Sequence, residues 1–280
     1  MSATSVLILF FVSALLLFFS LFFLIDFIKS YKLKKIKALP FKDEYRQFLL
    51  KTPHYKHLSD MDKRKIEGSI LVFIHTKEFI GVKLEVTDEM RVIIAFYACL
   101  LLLHIETQSC YDELKSIIIY SHPVILNAQH GSNGILTQEE LVIEGQSAND
   151  TVVLTWHEAR SEAYHLGKNN VIVHEFAHEI DYMDGEVDGV PPLQRSKYSA
   201  WVHVLDKEFK ALEKISLHNR NWGKYKLLGG YAATNKAEFF AVVTERFFES
   251  PHSLKSKFPD LYNELKSFYK LDSITLVEQG

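Results

Sequence analysis

Polar and apolar positions along this chain fall into three patterns. From Val6 to Ile25 the chain is apolar throughout: V-L-I-L-F-F-V-S-A-L-L-L-F-F-S-L-F-F-L-I carries no charge and only two serines. Roughly 20 residues at 1.5 Å rise cross a ~30 Å hydrocarbon layer, so the run predicts one membrane-spanning helix. Lys29, Lys32, Lys34, Lys35 and Lys37 come after it, and no lysine or arginine precedes it. A cleavable signal peptide has its positive charges in front. The positive-inside rule puts the N-terminus outside and everything after Lys29 in the cytosol. The expected division is an anchor in the cytoplasmic membrane (1–28), a basic stalk (29–38) and one domain (39–280).

A helical period dominates the rest of the chain. Leu58-Ser59-Asp60 can cap a helix that runs to about His75, with Ile66, Ile70, Leu71 and Phe73 among its apolar positions. Thr87-Asp88-Glu89 can start another. Its continuation, R-V-I-I-A-F-Y-A-C-L-L-L-L-H, is apolar on all sides and too short to span a membrane, so it predicts a central buried helix. Later, Trp201, Val204, Leu205, Phe209 and Leu212 share one helix face. After the turn Leu228-Gly229-Gly230, a last helix is expected from about Asn235 to Phe248. Strand-like pieces are few. Ile117 to Tyr120 is β-branched and apolar. Leu141 to Ile143 and Val152 to Trp156, separated by polar turn residues, predict antiparallel strands. The last of these can be an interior strand or an edge that pairs with an extended peptide. The fold class is α+β, mostly helical, with a small antiparallel or mixed sheet.

Composition adds limits. The 32 basic and 35 acidic residues give a net charge of -3. Both signs are spread along the chain, which excludes a nucleic-acid binder. Cys99 and Cys110 are the only cysteines and lack C-x-x-C spacing, so they read as free thiols of a reducing compartment.

The chemistry concentrates in V-I-V-H-E-F-A-H-E-I-D, Val171 to Asp181. Asn169-Asn170 can cap this helix, Gly185 can stop it, and Val173, Phe176, Ala177 and Ile180 form an apolar stripe. His174 and His178 lie one above the other and can both reach one Zn²⁺ at about 2.0–2.1 Å. Glu175 points a third of a turn away. It is badly placed as a ligand but well placed to take a proton from a zinc-activated water, the logic of H-E-x-x-H peptidases. The pattern also arises by chance, so a third ligand is required. Glu238 and Glu245, seven apart in Tyr231 to Phe248, are the candidates. Asn235-x-x-Glu238 can equally be a capping box, and Glu245 can be the solvated partner of a nearby lysine or arginine. Asp181 fits a supporting role, holding either a ligand imidazole or a neighbouring loop. Tyr231 can donate to a carbonyl oxygen as it becomes negative. Residues 185 to 195 are the candidate closing loop. The other histidines show no ligand spacing, with His157 and His165 the nearest to the motif helix.

Three stretches carry a resemblance: T-D-E-M-R-V-I-I-A (Thr87 to Ala95), H-E-F-A-H-E-I-D-Y-M-D-G (His174 to Gly185) and Y-A-A-T-N-K-A-E-F-F-A-V (Tyr231 to Val242). Together, in this order, they resemble the Mlc titration factor A family of zinc-dependent peptidases, over about Leu39 to Pro259. The last stretch also resembles the catalytic core of anthrax lethal factor, where a tyrosine precedes the ligand glutamate by seven positions, as Tyr231 precedes Glu238. The resemblance implies a zincin-like domain with His174, His178 and Glu238 as zinc ligands, Glu175 as general base and Tyr231 as oxyanion donor. It also implies aminopeptidase-like activity on peptides. The family's namesake binds a transcriptional repressor of sugar uptake, and no residue here identifies that partner. The alternative function is a zinc-containing regulatory protein that captures a cytosolic partner at the membrane. The N-terminal span is a departure from the namesake, which is a soluble protein.

Overall fold

The computed structural model describes residues 3–105, 110–122, 150–167, 169–218 and 221–277. The apolar run and the basic residues behind it form one continuous helix, α1 (Ala3–Lys37). Among the described residues it is the one helix long and apolar enough to cross a membrane, and its apolar window is not buried against the rest of the chain.

The remainder is mostly helical: α2 (Asp43–Leu49), α3 (Pro53–His57), α4 (Asp60–Thr76), α5 (Asp88–Leu101), α6 (Trp156–Tyr164), α7 (Val171–Asp181), α8 (Arg195–His218), α9 (Lys236–Glu249), α10 (Pro251–Lys257) and α11 (Pro259–Tyr269). Short polar residues start α4 and α5, as their sequences predict. The Ser59 hydroxyl accepts from the Asp62 N–H at the head of α4, and the Thr87 hydroxyl accepts from the Met90 N–H at the head of α5. From Val92 to Leu103 every side chain of α5 and its exit is buried. A helix apolar on all faces has to be enclosed, and α2, α4, α6 and α7 pack around it.

Three strands, β1 (Glu78–Val82), β2 (Ser116–Tyr120) and β3 (Thr151–Thr155), form a sheet in that order. All three run parallel, with Glu78 opposite Ser116 and Ser116 opposite Thr151. This corrects the antiparallel or mixed sheet expected from local turn signals. A parallel pair needs a crossover of about a dozen residues or more, and α5 is that crossover between β1 and β2. Leu141 to Ile143 lies outside the described residues. The strand expected to reach Trp156 ends at Thr155, and Trp156 opens α6. Among the described residues β3 has one neighbour, β2.

Two helices position the site. The back of α7 is locked by Phe176, whose ring lies 5.6 Å from Phe73 and 5.0 Å from Tyr111. Val173, Ala177 and Ile180 are fully buried beside it. Along α7 lies α9, in which every residue from Ala237 to Glu249 is buried. Cys99 and Cys110 are free thiols, as expected, although the fold brings their sulfurs to 3.9 Å.

Candidate metal centre

The head of α7 is held by three acceptors. Asn170 Oδ1 accepts from the Val173 N–H at 3.2 Å, Glu162 Oε2 from the Val171 N–H at 2.7 Å, and Glu245 Oε2 from the Asn170 N–H at 3.1 Å. Two carboxylates at a helix N-terminus also complement its dipole. The rotation of α7 is thereby fixed by these bonds at its head together with its buried stripe. His174 and His178, one turn apart, face away from that stripe with their Nε2 atoms 3.2 Å apart.

Facing them is Glu238, near the head of α9. Asn235 Oδ1 caps this helix by accepting from the Glu238 N–H at 2.8 Å. The Glu238 carboxylate does not turn back to complete a capping box. Its Oε2 lies 3.1 Å from His174 Nε2 and its Oε1 3.5 Å from His178 Nε2. One donor atom from each of the three residues falls within 4.8 Å of the others. Around an ion with bonds of about 2.0–2.1 Å, tetrahedral donors sit about 3.3–3.4 Å apart. The observed separations bracket that value, so the three residues fit a divalent metal with no rearrangement of the backbone.

Charge points the same way. Burial alone would lower the His174 pKa, but hydrogen bonds to Glu238 and Glu245 prevail and raise it to about 10. Burial would likewise raise the Glu238 carboxyl. Hydrogen bonds with His174 and His178 instead hold it well below the usual carboxylate range. Buried carboxylates gathered around one imidazole require a positive charge between them. A bound cation meets that requirement in place of a proton.

Glu245 is the residue whose role the sequence concealed. It is buried, not solvated, and its Oε1 accepts from His174 Nδ1 at 2.7 Å. A carboxylate only accepts, so Nδ1 carries the hydrogen and Nε2 is the ring atom turned toward the cluster. The other oxygen serves the α7 backbone and lies 3.5 Å from Arg246 Nη1. Seven-residue spacing from Glu238 was the available signal.

Beside the cluster is a cleft of about 520 Å³ whose lining includes Glu158, Glu162, His174, Glu175, Tyr231 and Glu245. Glu175 is half-buried, and burial raises its pKa. No group among the described residues hydrogen-bonds its carboxylate. Tyr231 is 46% exposed, with its ring 5.9 Å from that of His174. Of the two roles open to Asp181, the structure shows the loop. Its Oδ2 accepts from the Gly189 N–H at 2.9 Å, and burial raises its pKa to about 6. Gly189 has φ +79°, and a Cβ there would lie 2.5 Å from the Lys236 carbonyl oxygen. The candidate closing segment, 185–195, is thus bonded at Gly189 to the end of α7 and packs closely against the head of α9. His157 and His165 line a separate cavity and take no part in the cluster.

The comparison with known proteins agrees with this geometry. Residues 27–270 match the family described as glucose-regulated metallo-peptidase M90. An uncharacterised protein of Synechocystis sp. is 33% identical over 231 residues, which cover 79% of this chain and 81% of that protein. Mlc titration factor A of Pectobacterium atrosepticum is 30% identical over 236 residues, covering 82% and 87%. Mlc titration factor A of Escherichia coli is 26% identical over 244 residues, covering 85% and 88%.

Proposed function

The chain belongs to the glucose-regulated metallo-peptidase M90 family, and from that premise we propose that it is a membrane-anchored zinc peptidase. The observation that carries the reading is the convergence of His174, His178 and Glu238 beside a glutamate left unbonded in a cleft. Two imidazoles and one carboxylate are a donor set of catalytic zinc sites, in which a fourth position stays open. Zinc held there supplies Lewis acidity, acidifying a water and polarising the carbonyl to be cleaved.

The chain's own groups do the rest. Glu175 takes the proton of the attacking water on its carboxylate and returns it to the departing amine nitrogen. A carboxyl whose pKa is raised by burial suits both halves of that transfer. Tyr231 donates its phenolic hydrogen bond to the carbonyl oxygen as negative charge develops there. Glu245 keeps the His174 ring in one tautomer and one orientation. The cleft is lined by four glutamates, Glu158, Glu162, Glu175 and Glu245, against one arginine, Arg246. That acidity supports aminopeptidase-like use, because the free N-terminus of a peptide is a cation. In this reading α1 spans the cytoplasmic membrane, with its N-terminus outside and the peptidase domain in the cytosol.

A second reading draws on the name of the relatives. A titration factor binds something, and the domain can act by capturing a regulatory protein at the membrane with its zinc in a structural role. One experiment separates the two. The purified full-length chain should carry about one zinc, hydrolyse small peptide amides, stop on chelation and resume on adding zinc. His174→Ala should lose both metal and hydrolysis. Stoichiometric zinc without any hydrolysis would favour the regulatory reading, and no bound metal would end both.

A further inference from the structure

A cavity of about 450 Å³ lies between the base of α1 and the α4–α5 pair, far in sequence from the metal cluster. Its rim carries Lys29, Lys34 and Lys37 from α1 and Lys65 from α4. Lys29 is matched by Asp112 at 3.1 Å. Lys34, Lys37 and Lys65 are exposed, and none has a carboxylate partner among the described residues. Among the described residues the only other acid on the rim is Asp26. The wall behind the lysines is apolar, formed by Val72, Leu102 and Leu103.

The cavity is built into the fold. Gly68, on α4, is buried against the end of α1: a Cβ there would lie 2.8 Å from Lys37 Cγ and 2.9 Å from the Lys37 carbonyl oxygen. No larger residue permits this approach, so α1 and α4 are held as one unit. The height also matters. Asp26 comes directly after the uncharged run Val6 to Ile25. If α1 spans the bilayer, as in the proposed function, the cavity mouth lies at the boundary between hydrocarbon and water.

We propose that this cavity binds the headgroup of an anionic phospholipid, its phosphate set among Lys34, Lys37 and Lys65 and its glycerol end against the apolar wall. A free phosphate would meet the same lysines but leave that wall uncovered. Near an anionic surface each lysine is worth roughly a fivefold factor in binding. A bound lipid would fix the tilt of the domain on the membrane through the rigid α1–α4 joint.

The test uses the full-length chain in lipid nanodiscs. The only two cysteines, the buried Cys99 and the partly exposed Cys110, both line the cavity, so labelling of Cys110 by a neutral maleimide reports on it directly. In discs containing phosphatidylglycerol the labelling should be several-fold slower than in pure phosphatidylcholine. Lys65→Gln, which leaves α1 unchanged, should remove most of that protection. Native mass spectrometry should find one phosphatidylglycerol retained per wild-type chain and about fivefold less on the variant. Equal labelling in the two discs would overturn the proposal. So would equal slowing of wild type and variant, which is a general surface-charge effect. Slowing by millimolar inorganic phosphate in phosphatidylcholine discs would make it a site for a soluble anion. The spanning reading fails separately, when the chain is extracted from vesicles at alkaline pH.

Discussion

The two sides of the cleft differ in how fully their polar groups are satisfied. On the holding side, Glu238 faces both histidines, Glu245 bonds His174 and the α7 backbone, and both carboxylates are buried. On the reacting side, Glu175 accepts no hydrogen bond among the described residues, and nearly half of Tyr231 is exposed. Rigid, satisfied groups keep three donors in register for an ion. Glu175, left with bonding capacity, is the group a water can engage, and the exposed face of Tyr231 is open to a substrate. In the proposed peptidase, this contrast divides one site into a part that stores position and a part that stores reactivity.

The sharpest way to break that division is Glu175→Gln. The amide keeps the shape and cannot take a proton. Turnover should fall by roughly 10²–10⁴-fold while zinc content, measured by metal analysis, stays at the wild-type level. A variant that loses its zinc would move Glu175 to the holding side. Tyr231→Phe comes next. Removing one donor to the developing oxyanion should lower kcat by about 10²–10³-fold with little change in KM or in metal. If KM rises instead with kcat preserved, the tyrosine serves substrate binding and not the transition state.

Glu245→Gln probes the holding side one layer out. The amide keeps one acceptor where the carboxylate offered two, so either His174 Nδ1 or the Asn170 N–H loses its partner. Zinc affinity should drop by roughly 10–100-fold, as for other supporting partners of metal-bound histidines. With zinc in excess, turnover should recover most of its wild-type value. Failure to recover would mean that Glu245 also takes part in the reaction.

Much of the fold and the site is readable from sequence, and the reasons are local. The caps at Ser59, Thr87, Asn170 and Asn235 are each a short polar side chain ahead of an apolar period. Two histidines four apart on a helix with a buried stripe must share a face. The features hidden from sequence depend on contacts distant along the chain. Glu245 reads as a solvated residue because exposed and buried glutamates have the same spacing; only the enclosure of α9 on all sides distinguishes them. The rival capping-box role of Glu238 is settled by where α7 lies. The sheet reads as antiparallel or mixed because neighbouring strand-like segments suggest hairpins, whereas β1 and β2 pair across the whole of α5. β1 itself, E-F-I-G-V, is too short and too interrupted by glycine to announce a strand. The lysines of α1 are legible as a topology signal, but their convergence with Lys65 is not.

The outermost layer of the holding side gives the smallest expected effect. Glu249 lies four residues beyond Glu245 on α9, and it accepts from Asn170 Nδ2 at 2.7 Å, which ties it to the cap of α7. Its surroundings disfavour charge. Burial raises its pKa to about 8, against hydrogen bonds from Asn170 and Gly167, with Glu245 and Glu162 adding to the rise. The nearest imidazole, His54 at 3.9 Å, cannot compensate, since burial lowers its own pKa to about 4 and leaves it neutral. Between the ordinary glutamate pKa and about 8, the folded chain therefore keeps a proton that the unfolded chain has released. Stability from this group is present in full at the acid end of that window and declines as pH rises through it. Glu249→Gln mimics the protonated form and should remove this part of the slope. In calorimetry of the zinc-loaded protein from about pH 5.5 to 8.5, the variant should lose fewer degrees of Tm than wild type, by a few degrees at roughly 2–4 °C per kcal/mol. Parallel slopes for the two proteins would mean that Glu249 is already ionised and paired at the head of α7. The layer behind the ligands would then hold the helix by charge and not by a shared proton.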